Sequence, residues 1–455
     1  MAPSLVLSPA ASTIADMSTT KASHVTVEAA LSAAKTRFVE RNTTSLTLHN
    51  EAIKSLPGGN TRSLLHTAPF PVFLKKGEGY RVTSEDGHTY TDFVGEMTAA
   101  LYGHSHPVLA SALISTIQDI GLNLGGTTSL EARHAALLCA RFRLSRVRFT
   151  NSGTEATLHA LAGARAFTGR RKVVVFGGGY HGGCFSFPED APAENCVDKE
   201  DWVVATFNDP ADAKAKIEGS GDVAAVLVEG MQGRGPCIVG SHAFLHQVQA
   251  SARAVGAVFI LDEVQTSRLS GGGLAELEGL EPDITTLGKW VGGGVAFGAF
   301  GGREDIMRVY DPRDGNALSH SGTFNNNTLA MVAGYTGLSQ IYTPAVAQDF
   351  NTMGDKLRSA LQELSQGTKM TVTGLGTIMG IHFLEDGRKD LKSYKDRNED
   401  VELRELFWFE MMEEGFWITQ RGSIALVLET PWQELERFLR CVGAFLERYG
   451  ALVRI

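Results

Sequence analysis

The sequence of 455 residues is poor in cysteine and contains no long apolar run. Its five cysteines are scattered without a CxxC pair, so neither a disulfide framework nor a structural zinc site is indicated. The apolar stretches are too short to span a bilayer. Lysine and arginine, 42 residues against 51 acidic ones, form no basic run for a nucleic-acid backbone. We therefore expect a cytoplasmic protein with no metal and no nucleic-acid or membrane partner.

The segment 1–25 also lacks the basic start and the long apolar stretch of a secretion signal. It is rich in alanine, serine and threonine and contains one lysine and one aspartate. We expect this segment to be disordered, and an organelle-targeting role for it stays open.

From about Arg146 onward, short runs of Val, Ile, Leu and Phe alternate with segments of helical character. The runs are RVRFT, KVVVF, VAAVLVE and AVFILDEV, and segments such as EATLHALAGARAF and AFLHQVQASARAV lie between them. Continuous apolar runs of strand length are typical of a parallel sheet that helices cover on both faces. The sequence therefore predicts an α/β architecture, in which ligands bind beyond the carboxyl ends of the strands.

The chain is longer than one hydrophobic core usually organises, and its two flanks differ from the central part. From about Tyr342, mixed helices and short strands indicate an α+β unit. The stretch YRVTSEDGHTYTDFVG predicts a hairpin around Asp86 and Gly87 that joins this unit. We predict a disordered segment, an N-terminal contribution to a small domain, a large domain and a C-terminal small domain, at residues 1–25, 26–95, 96–341 and 342–455.

The motif TNSGTEA follows the first apolar run and opens a helix. It places Ser152, Gly153 and Thr154 where free backbone N–H groups, the helix dipole and two hydroxyls together favour an anion. A simple N-cap by serine or threonine explains the same residues equally well. This motif alone thus predicts either a helix cap or a phosphate site.

Two charged residues stand in strongly apolar surroundings. Asp262 ends the run VFILD, and Lys289 lies between Leu287-Gly288 and Trp290-Val291 in TTLGKWVGGG. A buried salt bridge or a helix cap accounts for the aspartate alone. A desolvated lysine can form a Schiff base with a carbonyl group. An anion site, a carboxylate for a ring nitrogen and such an amine are three contacts that pyridoxal phosphate needs.

The motif GGGYHGG follows another apolar run and contains Tyr180 and His181. An aromatic ring there could stack on a flat cofactor, and the glycines let the chain pass close to it. The alternative is a loop aromatic that closes the core.

Together, TNSGTEA, GGYHGG, LDEVQTSR, TTLGKWVGGG and HSGTFNNN resemble the class III pyridoxal-phosphate aminotransferases of fold type I. The resemblance extends from about residue 57 to the last helix, and it is to the branch that includes glutamate-1-semialdehyde aminomutase and β-phenylalanine aminotransferase. It implies a large domain with a mainly parallel sheet and a smaller α+β domain built from both ends of the chain.

The resemblance also implies roles for single residues. Lys289 would carry the cofactor as a Schiff base, Asp262 would hold its ring nitrogen and Tyr180 would lie over the ring. Other residues would complete the cofactor site, namely Ser152, Gly153 and Thr154 at the phosphate, His181 beside Tyr180, and Glu229 and Gln265 near the phenolic oxygen. Thr323 would reach the phosphate of a neighbouring subunit, so a homodimer is expected.

The resemblance likewise implies substrate contacts. Arg62 would bind the carboxylate of a β-amino acid, and Arg421 that of a 2-oxo acid such as 2-oxoglutarate or pyruvate. Surface arginines are the alternative for both. Met97 stands where relatives carry an aromatic residue, so the substrate pocket is expected to differ.

Departures and alternatives remain. Gly230 replaces a usual proline. Arg268 with Leu269 replaces a glycine-rich continuation, and this second departure favours the β-phenylalanine branch. An aminomutase, a racemase, an ω-amine transaminase and a non-catalytic relative of the fold stay open as alternatives.

Overall fold

A computed structural model describes residues 26–234 and 237–455, so the expectations of disorder and targeting for residues 1–25 lie outside the described part. The α-helices are α1 (Val27–Arg41), α2 (Thr43–Ala52), α3 (Pro107–Ser115), α4 (Ser129–Phe142), α5 (Gly153–Thr168), α6 (Pro210–Gly219), α7 (His242–Ala254), α8 (Gly273–Glu278), α9 (Glu304–Met307), α10 (Thr328–Thr336), α11 (Pro344–Leu364), α12 (Val401–Glu413), α13 (Trp432–Arg448) and α14 (Gly450–Val453). The strands are β1 (Leu74–Glu78), β2 (Arg81–Ser84), β3 (Thr89–Asp92), β4 (Arg146–Thr150), β5 (Lys172–Phe176), β6 (Trp202–Ala205), β7 (Val223–Glu229), β8 (Met231–Gln232), β9 (Ile238–Val239), β10 (Val258–Asp262), β11 (Ile284–Gly288), β12 (Gly298–Gly302), β13 (Met370–Leu375), β14 (Ile378–Phe383), β15 (Phe416–Trp417) and β16 (Ser423–Ala425).

The largest sheet has seven strands in the order β4-β12-β11-β10-β7-β5-β6. All run in one direction except β12, which pairs antiparallel with both β11 and β4. Every residue of β7 is buried, because helices cover both faces of the sheet. In β5, Val173 and Val175 pack with α5, whereas Val174 and Phe176 pack with α6 and α7. The predicted mainly parallel sheet is confirmed.

The two ends of the described chain pack into a second unit. The hairpin of β2 and β3 turns at Asp86-Gly87, as predicted, and β15 pairs parallel with β3. Strands β13, β14 and β16 form a further antiparallel sheet. This unit of helices and short strands, drawn from both ends of the chain, confirms the predicted fold class, while the domain limits at residues 95 and 341 stay a prediction.

Helix α1 connects the two ends of the described chain through its contacts with α12. The ring of Phe38 packs against Phe70, Trp408 and Phe409 at centroid distances of 5.3 to 5.6 Å. Arg37 adds an ion pair with the buried Glu410 at 2.7 Å. Among the described helices, none is long and apolar enough to cross a bilayer.

The parallel strands bring their carboxyl ends to one edge of the large sheet. Asp262, the last residue of β10, lies in register with Glu229 at the end of β7 and with Thr286 near the end of β11. The chain reaches Lys289 directly after β11. The fold therefore gathers polar side chains from three neighbouring strands at one place.

Candidate active site

Asp262 is the most firmly held of these side chains. It is buried, and its Oδ2 accepts a hydrogen bond from His181 Nδ1 at 2.7 Å. Its Oδ1 accepts the backbone N–H of Val264 at 3.0 Å and the hydroxyl of Thr286 at 3.1 Å. Three donors on two oxygens satisfy a carboxylate that has left water.

His181 is buried beside Asp262. Burial alone would lower the pKa of the imidazole, but the hydrogen bond and charge of Asp262, together with the charge of Glu229, raise it. The loop GGGYHGG thus brings an imidazole that is hydrogen-bonded to Asp262, as well as the aromatic ring of Tyr180, to the strand ends.

Glu229 is buried next to Asp262 and is held by backbone amides. The N–H groups of Tyr180 and Gly233 donate to its two oxygens, each at 2.9 Å. Burial raises the pKa of Glu229 to about 7, with His181 opposing and Asp262 adding to the rise. Glu229 therefore exchanges a proton near neutral pH, and its amide contacts fix the backbone of the loop that carries Tyr180.

Lys289 has a backbone φ of 55°, in the left-handed region that non-glycine residues seldom adopt. Its side chain is only partly exposed, and its ammonium forms no hydrogen bond or ion pair within residues 26–234 and 237–455. Burial lowers the pKa of the amine against the opposing charges of Asp262 and Glu229. A strained backbone that presents an unengaged, desolvated amine is suited to nucleophilic chemistry.

The start of α5 lies close to Val264 and Gly288, which follow β10 and end β11. Ser152 caps the helix, since its Oγ accepts the N–H of Glu155 at 3.2 Å. The amides of Gly153 and Thr154 belong to the first turn and have no partner in the helix ladder. A Cβ on Gly153 would lie 3.0 Å from both methyl groups of Val264, so only glycine fits without displacement. The helix cap is thus present, and the free amides could still hold a phosphate.

The loop with Tyr180 and His181 closes against this helix start. The N–H of Gly183 donates to Thr154 Oγ1 at 3.3 Å. A Cβ on Gly182, whose φ is 129°, would lie 2.6 Å from the same oxygen. The tyrosine ring itself stays 41% exposed and is available to a ligand.

The remaining residues named from the sequence lie at the edges of this cluster or apart from it. Gln265 lies against Gly233, where an added Cβ would be 2.2 Å from its Oε1. Arg421 is exposed, and the pKa of its guanidinium is lowered by partial burial and by the charges of three further arginines, while the nearby Tyr180 opposes this. Thr323 is exposed and Met97 partly buried. Arg62 forms an ion pair with Glu96.

The family model for class-III aminotransferases matches residues 65–433 of the chain. The chain belongs to the class-III aminotransferases. It is 44% identical over 435 residues to the β-phenylalanine transaminase of Variovorax paradoxus, with 94% of this chain and 99% of that protein covered. It is 48% identical over 421 residues to an uncharacterized aminotransferase of Schizosaccharomyces pombe, covering 92% and 95% of the two chains.

Solved structures agree with this assignment. The β-phenylalanine aminotransferase from V. paradoxus superposes with a TM-score of 0.92 at 44% identity, over 94% of this chain and 99% of that one. A glutamate-1-semialdehyde aminomutase from Pseudomonas aeruginosa superposes with a TM-score of 0.84 over 92% and 98% of the two chains, and at 23% identity it shares the fold. This aminotransferase is a pyridoxal-phosphate-dependent enzyme, as its sequence motifs predict.

The side chains of this aminotransferase fit that cofactor. Free amides at Gly153 and Thr154 suit a phosphate, a fully hydrogen-bonded Asp262 suits a protonated ring nitrogen, and the unengaged amine of Lys289 suits a carbonyl group. Across the described residues, no group of three or more His, Cys, Asp or Glu side chains could hold a metal ion.

Sequence reasoning missed some members of the site. Thr286, which donates to Asp262, could have been found from its place in a strand, three residues before Lys289. Cys237 had no sequence signal. Burial raises the pKa of its thiol to about 12, with the charge of Lys289 opposing, so this neighbour of the lysine stays protonated.

The raised pKa of Glu229 predicts a specific pH dependence of stability. The unfolded chain releases this proton near its ordinary value of 4.5 and the folded chain near 7, so the free energy of unfolding falls as pH rises through that window. The loss is at most about 3 kcal/mol. Glu229→Gln should remove this pH dependence of the free energy of unfolding, which urea unfolding of the cofactor-free protein between pH 4.5 and 7.5 measures. Glu85→Gln, at an exposed position, is the matched control, and an unchanged slope in Glu229→Gln would contradict the assignment.

Proposed function

We propose that this aminotransferase moves the amino group of an aromatic β-amino acid to a 2-oxo acid such as 2-oxoglutarate or pyruvate. The observation that carries the proposal is Arg421. Its guanidinium forms no ion pair in the part of the chain that the structure describes, although Arg234, Arg397 and Arg404 add to the positive charge around it and Tyr180 is close. An unpaired guanidinium beside the reacting centre is suited to bidentate binding of a carboxylate.

The relatives support the same substrate class. The V. paradoxus protein, which shares 44% of its residues over nearly the whole chain, is a β-phenylalanine transaminase. In our proposal Arg62 receives the carboxylate of the β-amino acid in exchange for Glu96, its present partner. Arg421 receives the carboxylate of the 2-oxo acid. Because both substrates would use one centre in turn, we expect ping-pong kinetics.

Each residue of the site has its own proposed role in the reaction. When bound, pyridoxal phosphate carries the amino group between the two substrates and accepts the electron pair of the broken C–H bond. Asp262 would hold the ring nitrogen in its protonated form, and the amides of Gly153 and Thr154, with Ser152, would hold the phosphate. Lys289 Nζ would take the proton from the carbon that bears the amino group. Burial lowers the pKa of this amine, which favours that role. Tyr180 would lie over the ring and help to exclude water.

The first prediction concerns the donor half-reaction. Racemic β-phenylalanine without an acceptor should change the absorption band of the bound cofactor within one turnover and leave one enantiomer behind. Lys289→Ala should slow this step at least about a hundredfold, since the proton-transfer base is lost. Stopped-flow absorbance and chiral chromatography measure the two results. A band that β-phenylalanine leaves unchanged in the wild-type enzyme would contradict the proposed donor.

A second prediction separates the acceptor contact from the rest of the site. Arg421→Ala should raise KM for a 2-oxo acid on the order of thirtyfold, because the charge-assisted hydrogen bonds to its carboxylate are lost. KM for an uncharged aldehyde acceptor should change less than about twofold, as no carboxylate is involved. Arg440→Ala, an exposed arginine on α13, is the control. Equal effects on the two acceptors would argue against the assignment.

The proposed enzyme works as a homodimer. Six exposed apolar side chains form what we call the apolar surface: Ile114, Ile117, Ile120, Leu122, Leu124 and Phe324. Hydrogen bonds from Thr328 to Gly121 and from Asn326 to Gly126 hold its two segments together. Exposed apolar side chains on this scale are typical of an interface. Thr323 is next to Phe324, so a second copy that covers the apolar surface would receive this threonine.

Disrupting the apolar surface should therefore weaken both the dimer and the cofactor site. Phe324→Glu should raise the dimer dissociation constant roughly tenfold or more, since it places a charge in the interface. The variant should also lose pyridoxal phosphate faster during gel filtration. Leu277→Glu changes an equally exposed leucine on α8 and is the matched control. Light scattering over a dilution series gives the mass, and an unchanged dimer with normal cofactor retention would refute the proposal.

A further inference from the structure

The turn Gly95–Thr98 has an unusual backbone. Its four consecutive residues have φ values of 51°, 49°, 54° and 78°, all in the left-handed region. Only the first is a glycine, and the last is a β-branched threonine, for which this conformation is a clear outlier. Such strain persists only where the surroundings enforce it, and it concentrates at functional sites.

The start of the turn is fixed by Asp92. Its Oδ1 accepts the N–H groups of Val94 at 2.8 Å and Gly95 at 3.0 Å, and its Oδ2 pairs with His104 at 2.9 Å. On its other side Gly95 packs against the end of β16, where an added Cβ would lie 3.0 Å from the carbonyl oxygen of Ala425. The turn is therefore held between its own preceding strand and the C-terminal segment.

Arg268 fixes the end of the turn. Its side chain is completely buried, and it donates to the carbonyl oxygens of Thr98 at 3.4 Å and Leu426 at 2.6 Å. Its Nε–H has no partner, and none of the described carboxylates forms an ion pair with it. A buried cation without a counter-ion destabilises a fold relative to an apolar side chain of similar volume. Stability therefore does not explain this arginine, whereas its two contacts connect the turn to the C-terminal segment.

The turn Gly95–Thr98 contains residues that bear on the binding of the amino donor. It contains Met97, which the resemblance to the class III aminotransferases places at the substrate pocket, and Glu96, which pairs with Arg62. We propose that Arg268 is a positioning residue that holds the turn Gly95–Thr98 in its left-handed form, so that Met97 and the Glu96–Arg62 pair are correctly placed to admit the β-amino acid donor. This inference rests on the proposed function for the identity of the donor.

Arg268→Lys tests the role, because lysine keeps the charge but cannot donate from two nitrogens to both carbonyl oxygens. In the holoenzyme, KM for the donor should rise at least fivefold, while kcat and KM for pyruvate change less than twofold. Arg141→Lys is the matched control. Arg141 is partly buried and, like Arg268, donates only to backbone carbonyls, those of Gly271, Leu338 and Tyr342. A fall in kcat in both variants with an unchanged donor KM would indicate a general loss of structure and would contradict the positioning role.

A second variant keeps the test decisive if Arg268→Lys does not fold. Gly95→Ala should push the turn away from Ala425 and cause the same donor-specific rise in KM. Gly87→Ala also places a side chain at positive φ, but with nothing within 4 Å, and it should leave both KM values unchanged. Equal changes in the donor and acceptor KM, or a normal donor KM in Gly95→Ala, would overturn the role.

The two proposals fail in different ways. A wild-type enzyme that leaves β-phenylalanine unreacted would refute the proposed donor. The same comparison of KM values, made with the amino donor that the enzyme does accept, would then still decide whether Arg268 positions the turn.

Discussion

Two carboxylates, Glu229 and Asp262, end neighbouring buried strands in register. The other polar contacts of the site compensate for the electrostatic repulsion between these two acids. Two acids close together in a medium of low dielectric constant cannot both stay charged without compensation. Asp262 receives three hydrogen bonds, one of them from His181, whereas the pKa of Glu229 rises to about 7. The amine of Lys289 lies near both carboxylates without a hydrogen bond or ion pair in the described part of the chain, and burial lowers its pKa against their charges. A group whose pKa lies near 7, as that of Glu229 does, can take up or release a proton at neutral pH.

Backbone strain is the second recurring feature of the site. Lys289 adopts a left-handed φ, and so do the three non-glycine residues of the turn Gly95–Thr98. Each such residue destabilises the native state by roughly 1–2 kcal/mol. The continuous burial of strands such as β7 and β10 provides the opposing stabilisation, because their apolar side chains are fully removed from water. A rigid sheet thus supports segments that would not hold their shape alone.

Much of the fold and part of the site could be predicted from the sequence. Apolar runs of strand length revealed the large sheet, and the polar residue that ends each run, such as Asp262, falls at the edge where ligands bind. The pair Asp86-Gly87 is a local turn signal that predicts the hairpin of β2 and β3. These features are readable because strand burial and turn chemistry act over a few neighbouring residues.

The remaining features depend on contacts between distant segments. Arg268 meets Thr98 and Leu426 across 170 and 158 residues, so only the fold brings them together. The left-handed turn contains a single glycine and therefore has no sequence signature. The pairing of Arg62 with Glu96 is likewise invisible to motif reasoning, although it determines what a substrate carboxylate must displace.

The central claim is that Lys289 is the amine that binds the cofactor. The most direct measurement is borohydride reduction of the holoenzyme followed by peptide mass spectrometry. The account predicts one phosphopyridoxyl group per chain, carried by the peptide that contains Lys289 and absent from Lys289→Ala. Labelling of another lysine, or equal labelling of the Lys289→Ala variant, would contradict it.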